Sequence, residues 1–243
     1  MKKKYKIISI FVIICFNLMV YCQAVNQKIF VIKNVLYAYS IKKLKEKKFD
    51  DAISMLEKIK NHMDNVDQDK ILIHLIYAYY KNLNLYMAQK TAQEFIMLYP
   101  NHKNKDYVIY LQSLISWAMD QNRFFNILPI KYHTSNPIHA IHALSQLKEL
   151  IYYYPNSSYV VNAKKQIICI QHRLSEYDFQ ILQFYFSLKE HVAVINRGIE
   201  IIQKYPDTPV AKKTLLYMQK SYTALKIFDA AKKISKILLL NNV

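Results

Sequence analysis

The chain has 243 residues, of which 53% are apolar, six are proline and only one, Gly198, is glycine. Phosphate-binding loops, dinucleotide fingerprints and nucleophile elbows each need more than one glycine in a single turn, so these sites are excluded, and many-stranded β folds are disfavoured. The formal net charge of +17 is compatible with a polyanion partner, but only three basic residues are arginine, the residue preferred for base and phosphate contacts. A lysine-rich composition follows equally from an A/T-biased genome.

The first segment has the pattern of an export signal. Lysines at positions 2, 3, 4 and 6 precede an uncharged stretch over residues 7–20, which is shorter than the roughly 20 apolar residues that a membrane span needs. We therefore predict a signal peptide over residues 1–21 and a periplasmic domain over residues 22–243.

Cys22 stands where a bacterial lipoprotein carries its acylated first residue. Tyr21 replaces the small residue that usually precedes that cysteine, so an uncleaved signal anchor and a plain cleaved signal are alternatives to lipidation. If Cys15 leaves with the signal and Cys22 is acylated, Cys169 has no partner for an internal disulfide. The apolar neighbours of Cys169 predict a buried thiol.

The rest of the chain repeats with a period near that of the tetratricopeptide repeat, which is about 34 residues. The pattern is clearest at Leu72, Leu75, Ile76, Tyr79, Ala88, Ala92, Phe95 and Pro100. The tetratricopeptide repeat is a pair of antiparallel helices. Its sequence typically shows large residues at helical spacing, then small residues that let the second helix approach closely, and then a proline. One hairpin cannot bury its own faces, so neighbouring hairpins must stack.

We predict an all-α tetratricopeptide solenoid of five hairpins, over residues 33–65, 69–101, 105–156, 158–207 and 209–240. The third contains a loop over residues 121–137, and loops of this length are often functional. In the fourth, a seam of apolar residues at alternating three- and four-residue steps runs from Val160 to Leu188. It predicts one helix of about 30 residues, or two stacked end to end, with a coiled-coil dimer as the alternative.

No catalytic or metal-binding arrangement can be distinguished from an ordinary helix surface. His139 and His142 share one face of a predicted helix, but no acidic or cysteine partner lies at a useful spacing for a metal. We expect no catalytic residue, no metal and no cofactor, and therefore a protein that is not an enzyme.

Binding surfaces are the better candidates, because the first helices of successive repeats line a concave groove. The repeat frame assigns to this face Tyr37, Ile41, Lys45, Ile73, Tyr77, Tyr80 and Lys81. Tyrosines flanked by lysines suit an extended peptide with aromatic side chains and a terminal carboxylate, unless the tyrosines merely pack between helices. Arg197 suits an ion pair with a partner carboxylate, and a solvated surface charge is its alternative.

Six segments resemble one family more closely than generic repeats do. They are 75–82, 106–110, 154–157, 173–177, 192–197 and 205–208. They are similar to the BamD family, also called ComL or YfiO, the five-repeat lipoproteins of the β-barrel assembly machinery in Gram-negative outer membranes. The resemblance runs from about Val35 to Ile237.

The resemblance implies a non-enzymatic scaffold that is held to the periplasmic face of the outer membrane by an acylated Cys22. It implies docking on the POTRA domains of BamA through the C-terminal half, with Arg197 at the family's partner-facing arginine and Asn196 beside it. It also implies recruitment of unfolded barrel precursors, whose C-terminal signal is an aromatic-ended strand. Other lipoproteins of the machinery are further candidate partners, although the biased composition suggests a reduced genome, in which such partners can be lost.

Two other functions are alternatives at this point. A different periplasmic repeat lipoprotein, such as a secretin pilotin or a cell-envelope coordinator, would share the fold and the leader. A nucleic-acid-binding solenoid would explain the net charge, but it requires retention in the cytoplasm, which is at odds with the export signal.

Overall fold

The computed structural model describes residues 31–62, 67–121 and 136–240, besides the isolated Met19 and Gln27. All regular secondary structure in these ranges is α-helical, which confirms the predicted all-α class. The helices are α1 (residues 31–45), α2 (Phe49–His62), α3 (Gln68–Lys81), α4 (Leu85–Leu98), α5 (Lys105–Gln121), α6 (Ile138–Tyr153), α7 (Val160–Ser187), α8 (His191–Lys204), α9 (Pro209–Ala224) and α10 (Phe228–Leu240). The predicted signal peptide, Cys22 and most of the predicted 121–137 loop lie outside the described residues.

These helices pair in chain order into hairpins, as predicted, and the hairpins fall into two compact units. The unit Met1–Pro100 holds α1 to α4, and the unit Asn101–Val243 holds α5 to α10. Within the second unit each helix packs against the next, and α7 also reaches α9. None of the helices in the described ranges combines the length and the apolar character that a membrane crossing requires.

Four hairpins turn through a residue with left-handed backbone, although glycine occupies none of these turns. Lys47, Leu83, Lys189 and Lys226 have φ between 59 and 62°. At Lys189, for example, the N–H donates to the carbonyl of Phe186 and the next N–H to that of Tyr185, both at 3.0 Å. This is the Schellman helix end, where glycine is usual because a side chain in that conformation costs roughly 1–2 kcal/mol. Packing of the two helices must therefore supply the stability that holds these turns.

The repeat frame predicted for α3 and α4 forms the core of the first unit. Ala88, Ala92 and Phe95 on α4 are fully buried, as is Ala52 on α2. On α3 the buried frame residues are Leu72, Leu75, Ile76 and Tyr79. Burial of one large apolar side chain contributes about 1.5–3 kcal/mol, so these residues are a main source of the stability of the first unit.

The long apolar seam forms a single 28-residue helix, α7, whose neighbours in the same unit cover it. The predicted seam fails at its C-terminal end, where Phe184 and Leu188 are 59% and 55% exposed. Phe179 and Leu182 are buried there instead. An ideal helix drifts by about 20° per heptad, so a seam extrapolated over four heptads ends on the wrong face of a straight helix.

A buried ion pair joins α5 to α7. Nε of Arg173 lies 3.2 Å from Oδ2 of Asp120, and the two side chains are only 2% and 1% exposed. Removing either partner from such a pair leaves a buried charge without compensation, which costs about 3–5 kcal/mol. The pair therefore disfavours any packing of α5 and α7 that separates Arg173 from Asp120.

Cys169 is exposed, which corrects the prediction of a buried thiol. Its neighbour Ile170 is fully buried, whereas Ile168 is exposed. Successive residues on a helix point about 100° apart, so an apolar run of four residues necessarily turns part of itself to solvent.

Gly198 allows α8 and α9 to approach closely. A Cβ atom at this position would lie 2.5 Å from both Cγ and Sδ of Met218 and 3.3 Å from Cγ2 of Thr214. Both methionine atoms lie in the middle of its side chain, so Met218 would have to change rotamer in a packed interface. The chain's one glycine thus serves helix packing and no turn.

We expect Gly198→Ala to lower the melting temperature measured by circular dichroism. Overpacking costs typically 1–3 kcal/mol, which outweighs the roughly 1 kcal/mol that alanine gains over glycine within a helix. In a Met218→Ala background the obstruction is gone, so the same substitution should raise the melting temperature. An equal loss of stability in both backgrounds would contradict this interpretation.

Candidate partner-binding surfaces

In the first unit, three candidate residues at the end of α3 form what we call the tyrosine–lysine cluster: Tyr77, Tyr80 and Lys81. Nζ of Lys81 lies 5.7 Å from the ring centroid of Tyr77 and 5.5 Å from that of Tyr80. Lys81 is exposed, and the tyrosines are half-buried. The ammonium group is therefore held over two aromatic faces and stays open to an anionic ligand.

Tyr77 also takes part in the core, which was the alternative interpretation of these tyrosines. Its ring meets that of Phe49 edge to face, with centroids 6.4 Å apart and planes at 77°. It packs against a buried cluster of Leu44, Ala52 and Ala78. This support immobilises the ring, so a ligand that contacts Tyr77 has less side-chain entropy to lose on binding.

Tyr37 on α1 contacts a residue that the sequence analysis missed. Its hydroxyl oxygen lies 3.1 Å from Nδ1 of His74 on α3, and the same nitrogen lies 2.8 Å from the carbonyl oxygen of Lys70. Burial lowers the pKa of His74 and raises the pKa of Tyr37, so both groups are neutral near pH 7. Lys45, another candidate on α1, is exposed.

In the second unit, Arg197 belongs to a group of charges that we call the α7–α8 charge cluster: Asp178, Arg197, Glu200 and Lys204. Nη1 of Arg197 lies 3.0 Å from Oε2 of Glu200, and Nζ of Lys204 lies 3.4 Å from the same oxygen. The Arg197 side chain remains 35% exposed, and Asn196 beside it is exposed. Because exposed ion pairs contribute at most about 1 kcal/mol, a partner carboxylate can displace Glu200 at little cost.

Asp178 is the partly buried member of this charge cluster. Burial raises its pKa, while Lys204, Arg197 and a hydrogen bond donated by the Tyr205 hydroxyl act in the opposite direction. Burial also raises the pKa of Tyr205, and the neighbouring Asp178 carboxylate adds to that effect. The cluster therefore keeps a carboxylate near Arg197 in an environment that does not solvate it fully.

A cavity of about 280 Å³ borders Tyr205 on the same unit. Its walls are Ile168, Gln171 and His172 of α7 and residues 205–208 of the turn between α8 and α9. An open cavity beside accessible charges can accept one apolar anchor from a protein partner, which is how the tightest contacts in protein interfaces are usually built.

The described residues contain no group of three or more His, Cys, Asp or Glu side chains that could hold a metal ion. His139 and His142, the pair considered from the sequence, meet edge to face with their ring centroids 6.5 Å apart. The two surfaces above combine ammonium, guanidinium, carboxylate and aromatic groups, which are suited to binding ligands.

Three residues of the charge cluster were absent from the sequence-based candidates. Glu200 and Lys204 lie three and seven residues after Arg197, so the three residues share one face of the helix and alternate in charge. This spacing could have identified Glu200 and Lys204 from the sequence. Asp178 lies on another helix, and no local pattern connects it to α8. His74, the contact of Tyr37, was missed for the same reason.

Comparisons with known proteins give a consistent match. Residues 31–237 match the family described as "YfiO: Outer membrane lipoprotein". A protein of Buchnera aphidicola subsp. Acyrthosiphon pisum named "Outer membrane protein assembly factor BamD" is 54% identical, with 100% of both chains covered. Proteins with the same name from Vibrio cholerae and Pasteurella multocida are 33% and 29% identical, over 71% and 79% of this chain and 72% and 75% of their own.

The raised pKa of Asp178 predicts how its amide variant responds to pH. The folded state holds the Asp178 proton to a higher pH than the unfolded chain does. The free energy of unfolding of the parent therefore falls as pH rises through the folded-state pKa of Asp178. Asparagine does not titrate, and its carbonyl still accepts from Tyr205. We expect the melting temperature of Asp178→Asn, relative to the parent, to increase from acidic to neutral pH.

Tyr205→Phe supplies the matched control for this experiment. The Tyr205 hydroxyl lowers the pKa of Asp178, so its removal should move the pH-dependent loss of stability to higher pH. The melting temperature of Asp178→Asn relative to that of the parent could instead stay constant with pH, or decrease toward neutral pH. Either result would show that burial does not raise the pKa of Asp178.

Proposed function

The chain belongs to the YfiO family of outer membrane lipoproteins, and on that premise we propose that it is a non-enzymatic scaffold for the assembly of outer membrane β-barrel proteins. The observation that carries this proposal is the 54% identity, over the full length of both chains, to a protein named as an outer membrane protein assembly factor. The two candidate surfaces support it, since both are suited to binding proteins.

In this proposal the α7–α8 charge cluster docks on the POTRA domains of BamA. The sequence resemblance assigns Arg197 to the arginine that faces the partner in this family. Asn196, beside it, is exposed. On docking, a partner carboxylate replaces Glu200 as the acceptor of the Arg197 guanidinium, and Glu200 remains paired with Lys204. An apolar side chain of the partner can enter the cavity beside Tyr205. Burial on docking strengthens such a charge-assisted pair.

Unfolded barrel precursors are the proposed clients of the first unit. An aromatic-ended strand presents a ring and a terminal carboxylate, and the tyrosine–lysine cluster presents two rings beneath one ammonium group. The terminal carboxylate pairs with Lys81, and the aromatic side chain packs against Tyr77 or Tyr80. Tyr37 and Lys45 on α1 extend this surface for the preceding residues of the strand.

We further propose that the chain is tethered to the periplasmic face of the outer membrane through acylated Cys22. We expect the intact mass of the membrane-extracted protein to equal that of a chain beginning at Cys22 plus acyl groups. A Cys22→Ser variant should leave the membrane fraction under high-salt extraction. An unmodified chain beginning at Met1 would show an uncleaved anchor instead.

Two substitutions should separate docking from client binding. We expect Arg197→Glu to abolish co-purification of the β-barrel partner, because it places a carboxylate where the partner presents one. The same variant should still bind a synthetic peptide that ends in phenylalanine. Lys81→Glu should give the reverse result, with the partner retained and the peptide lost.

Lys212→Glu is the matched control, since it makes the same charge change at an exposed position of α9. All three variants should keep the melting temperature of the parent within a few degrees, because the affected side chains are on the surface. Undiminished co-purification by Arg197→Glu would remove the proposed docking site. Recovery of a secretin as the main partner would replace the proposed function with that of a pilotin.

A further inference from the structure

The last helix, α10, has two faces of different character. Its inner face buries Ala231, Ile234 and Leu238 in the interface with α9. Its outer face carries the exposed lysines Lys232, Lys233 and Lys236. In the part of the chain that the structure describes, α10 packs mainly against α9, and the exposed lysines lie on the side of α10 that does not face α9.

Two leucines lie on the outer face among these lysines. Leu239 and Leu240 are 76% and 75% exposed, among the highest values for large apolar residues in the described ranges. On a helix, positions 232, 236, 239 and 240 fall on one side, so the leucines and the ammonium groups point the same way. Exposed apolar side chains surrounded by cations are the pattern of a helix that lies in a membrane interface.

The charge on this hairpin is of one sign. Residues 209–240 contain Asp229 as their one acidic residue, while the basic residues are Lys212, Lys213, Lys220, Lys226, Lys232, Lys233 and Lys236. None of the three lysines on the outer face of α10 has an ion-pair partner within the described ranges. A surface of this kind attracts anions over a distance of about 8 Å at physiological salt.

The composition of the face favours a lipid over a protein as its occupant. Protein interfaces are enriched in Arg, Tyr and Trp and depleted in Lys, whereas the outer face of α10 has only Lys as its cation and no aromatic ring at its C-terminal end. Long lysine side chains can reach phosphate groups while adjacent leucines enter the acyl boundary. An acyl anchor binds more firmly when a polybasic patch adds a second contact.

We propose that the outer face of α10 rests on the anionic phospholipid surface of the membrane that holds this lipoprotein. The ammonium groups of Lys232, Lys233 and Lys236 contact phosphates, and Leu239 and Leu240 insert at the boundary between headgroups and acyl chains. This contact is separate from the docking proposed for the α7–α8 charge cluster, and it fixes the orientation of the second unit relative to the membrane.

Vesicle flotation of the mature chain, residues 22–243 with Cys22→Ser so that no acyl chain contributes, tests this proposal. The vesicles contain phosphatidylethanolamine with or without phosphatidylglycerol. The chain should float with the anionic vesicles and not with the neutral ones. Each lysine near an anionic surface contributes about fivefold, so the combined Lys232→Gln, Lys233→Gln and Lys236→Gln variant should bind about 100-fold more weakly. Leu239→Ser with Leu240→Ser should also weaken binding.

A control variant removes the same number of charges elsewhere, at Lys42, Lys47 and Lys48 around the turn between α1 and α2. It should bind anionic vesicles much more tightly than the α10 variant does. Equal loss in both variants would show a general effect of net charge and overturn the proposal. Equal flotation with neutral vesicles would also overturn it. So would an α10 variant that still binds vesicles but loses the β-barrel partner, because this face would then be a protein contact.

The result is separable from that of the docking experiment. If α10 fails to bind vesicles while Arg197→Glu still abolishes co-purification, the proposal for α10 is wrong and the proposed function stands. If Arg197→Glu has no effect while α10 binds anionic vesicles, the proposed docking site is wrong and the proposal for α10 stands.

Discussion

A charge buried in the middle of α7 constrains the arrangement of the second unit. Breaking the pair of Arg173 and Asp120 costs about 3–5 kcal/mol, because the remaining charge stays out of contact with water. The pair therefore fixes α7 against α5, and with it the position of Asp178 further along the same helix. Gly198 in turn lets α8 lie close to α9. These two packing constraints set the positions of α7 and α9, the two helices that pack against α8. The exposed Arg197 on α8 therefore depends on buried neighbours for its position.

The sequence predicts the fold wherever the pattern has a physical cause that acts locally. Small residues such as Ala88 and Ala92 must lie where two helices touch, and the structure buries them. The same reasoning fails over longer distances, since a heptad seam extended to Leu188 ignores the drift of a straight helix. Turns were harder to locate because Lys47 and Leu83 adopt a conformation usually taken by glycine. Lysine and leucine do not mark a turn in the sequence. The left-handed backbone at these positions is required only by the packing of the flanking helices.

The candidate site was predictable in part. Tyr77, Tyr80 and Lys81 lie on one helix, and the repeat frame alone suffices to place them on one face. Contacts between helices were beyond the reach of sequence patterns, as the pairing of Tyr37 with His74 shows. Such contacts change what a surface can bind. An arginine considered by itself is a free cation, whereas the structure gives Arg197 a carboxylate that a partner must displace.

Docking through α8 is tested most directly by a photo-crosslinking amino acid placed at Asn196 in living cells. Asn196 is exposed and adjacent to Arg197, so the replacement probes the contact without removing the charge. The proposed function predicts a crosslink to an outer membrane β-barrel protein with periplasmic POTRA domains, and loss of that crosslink when Arg197→Glu is added. A crosslink only to a secretin, or none to any envelope protein, would contradict it.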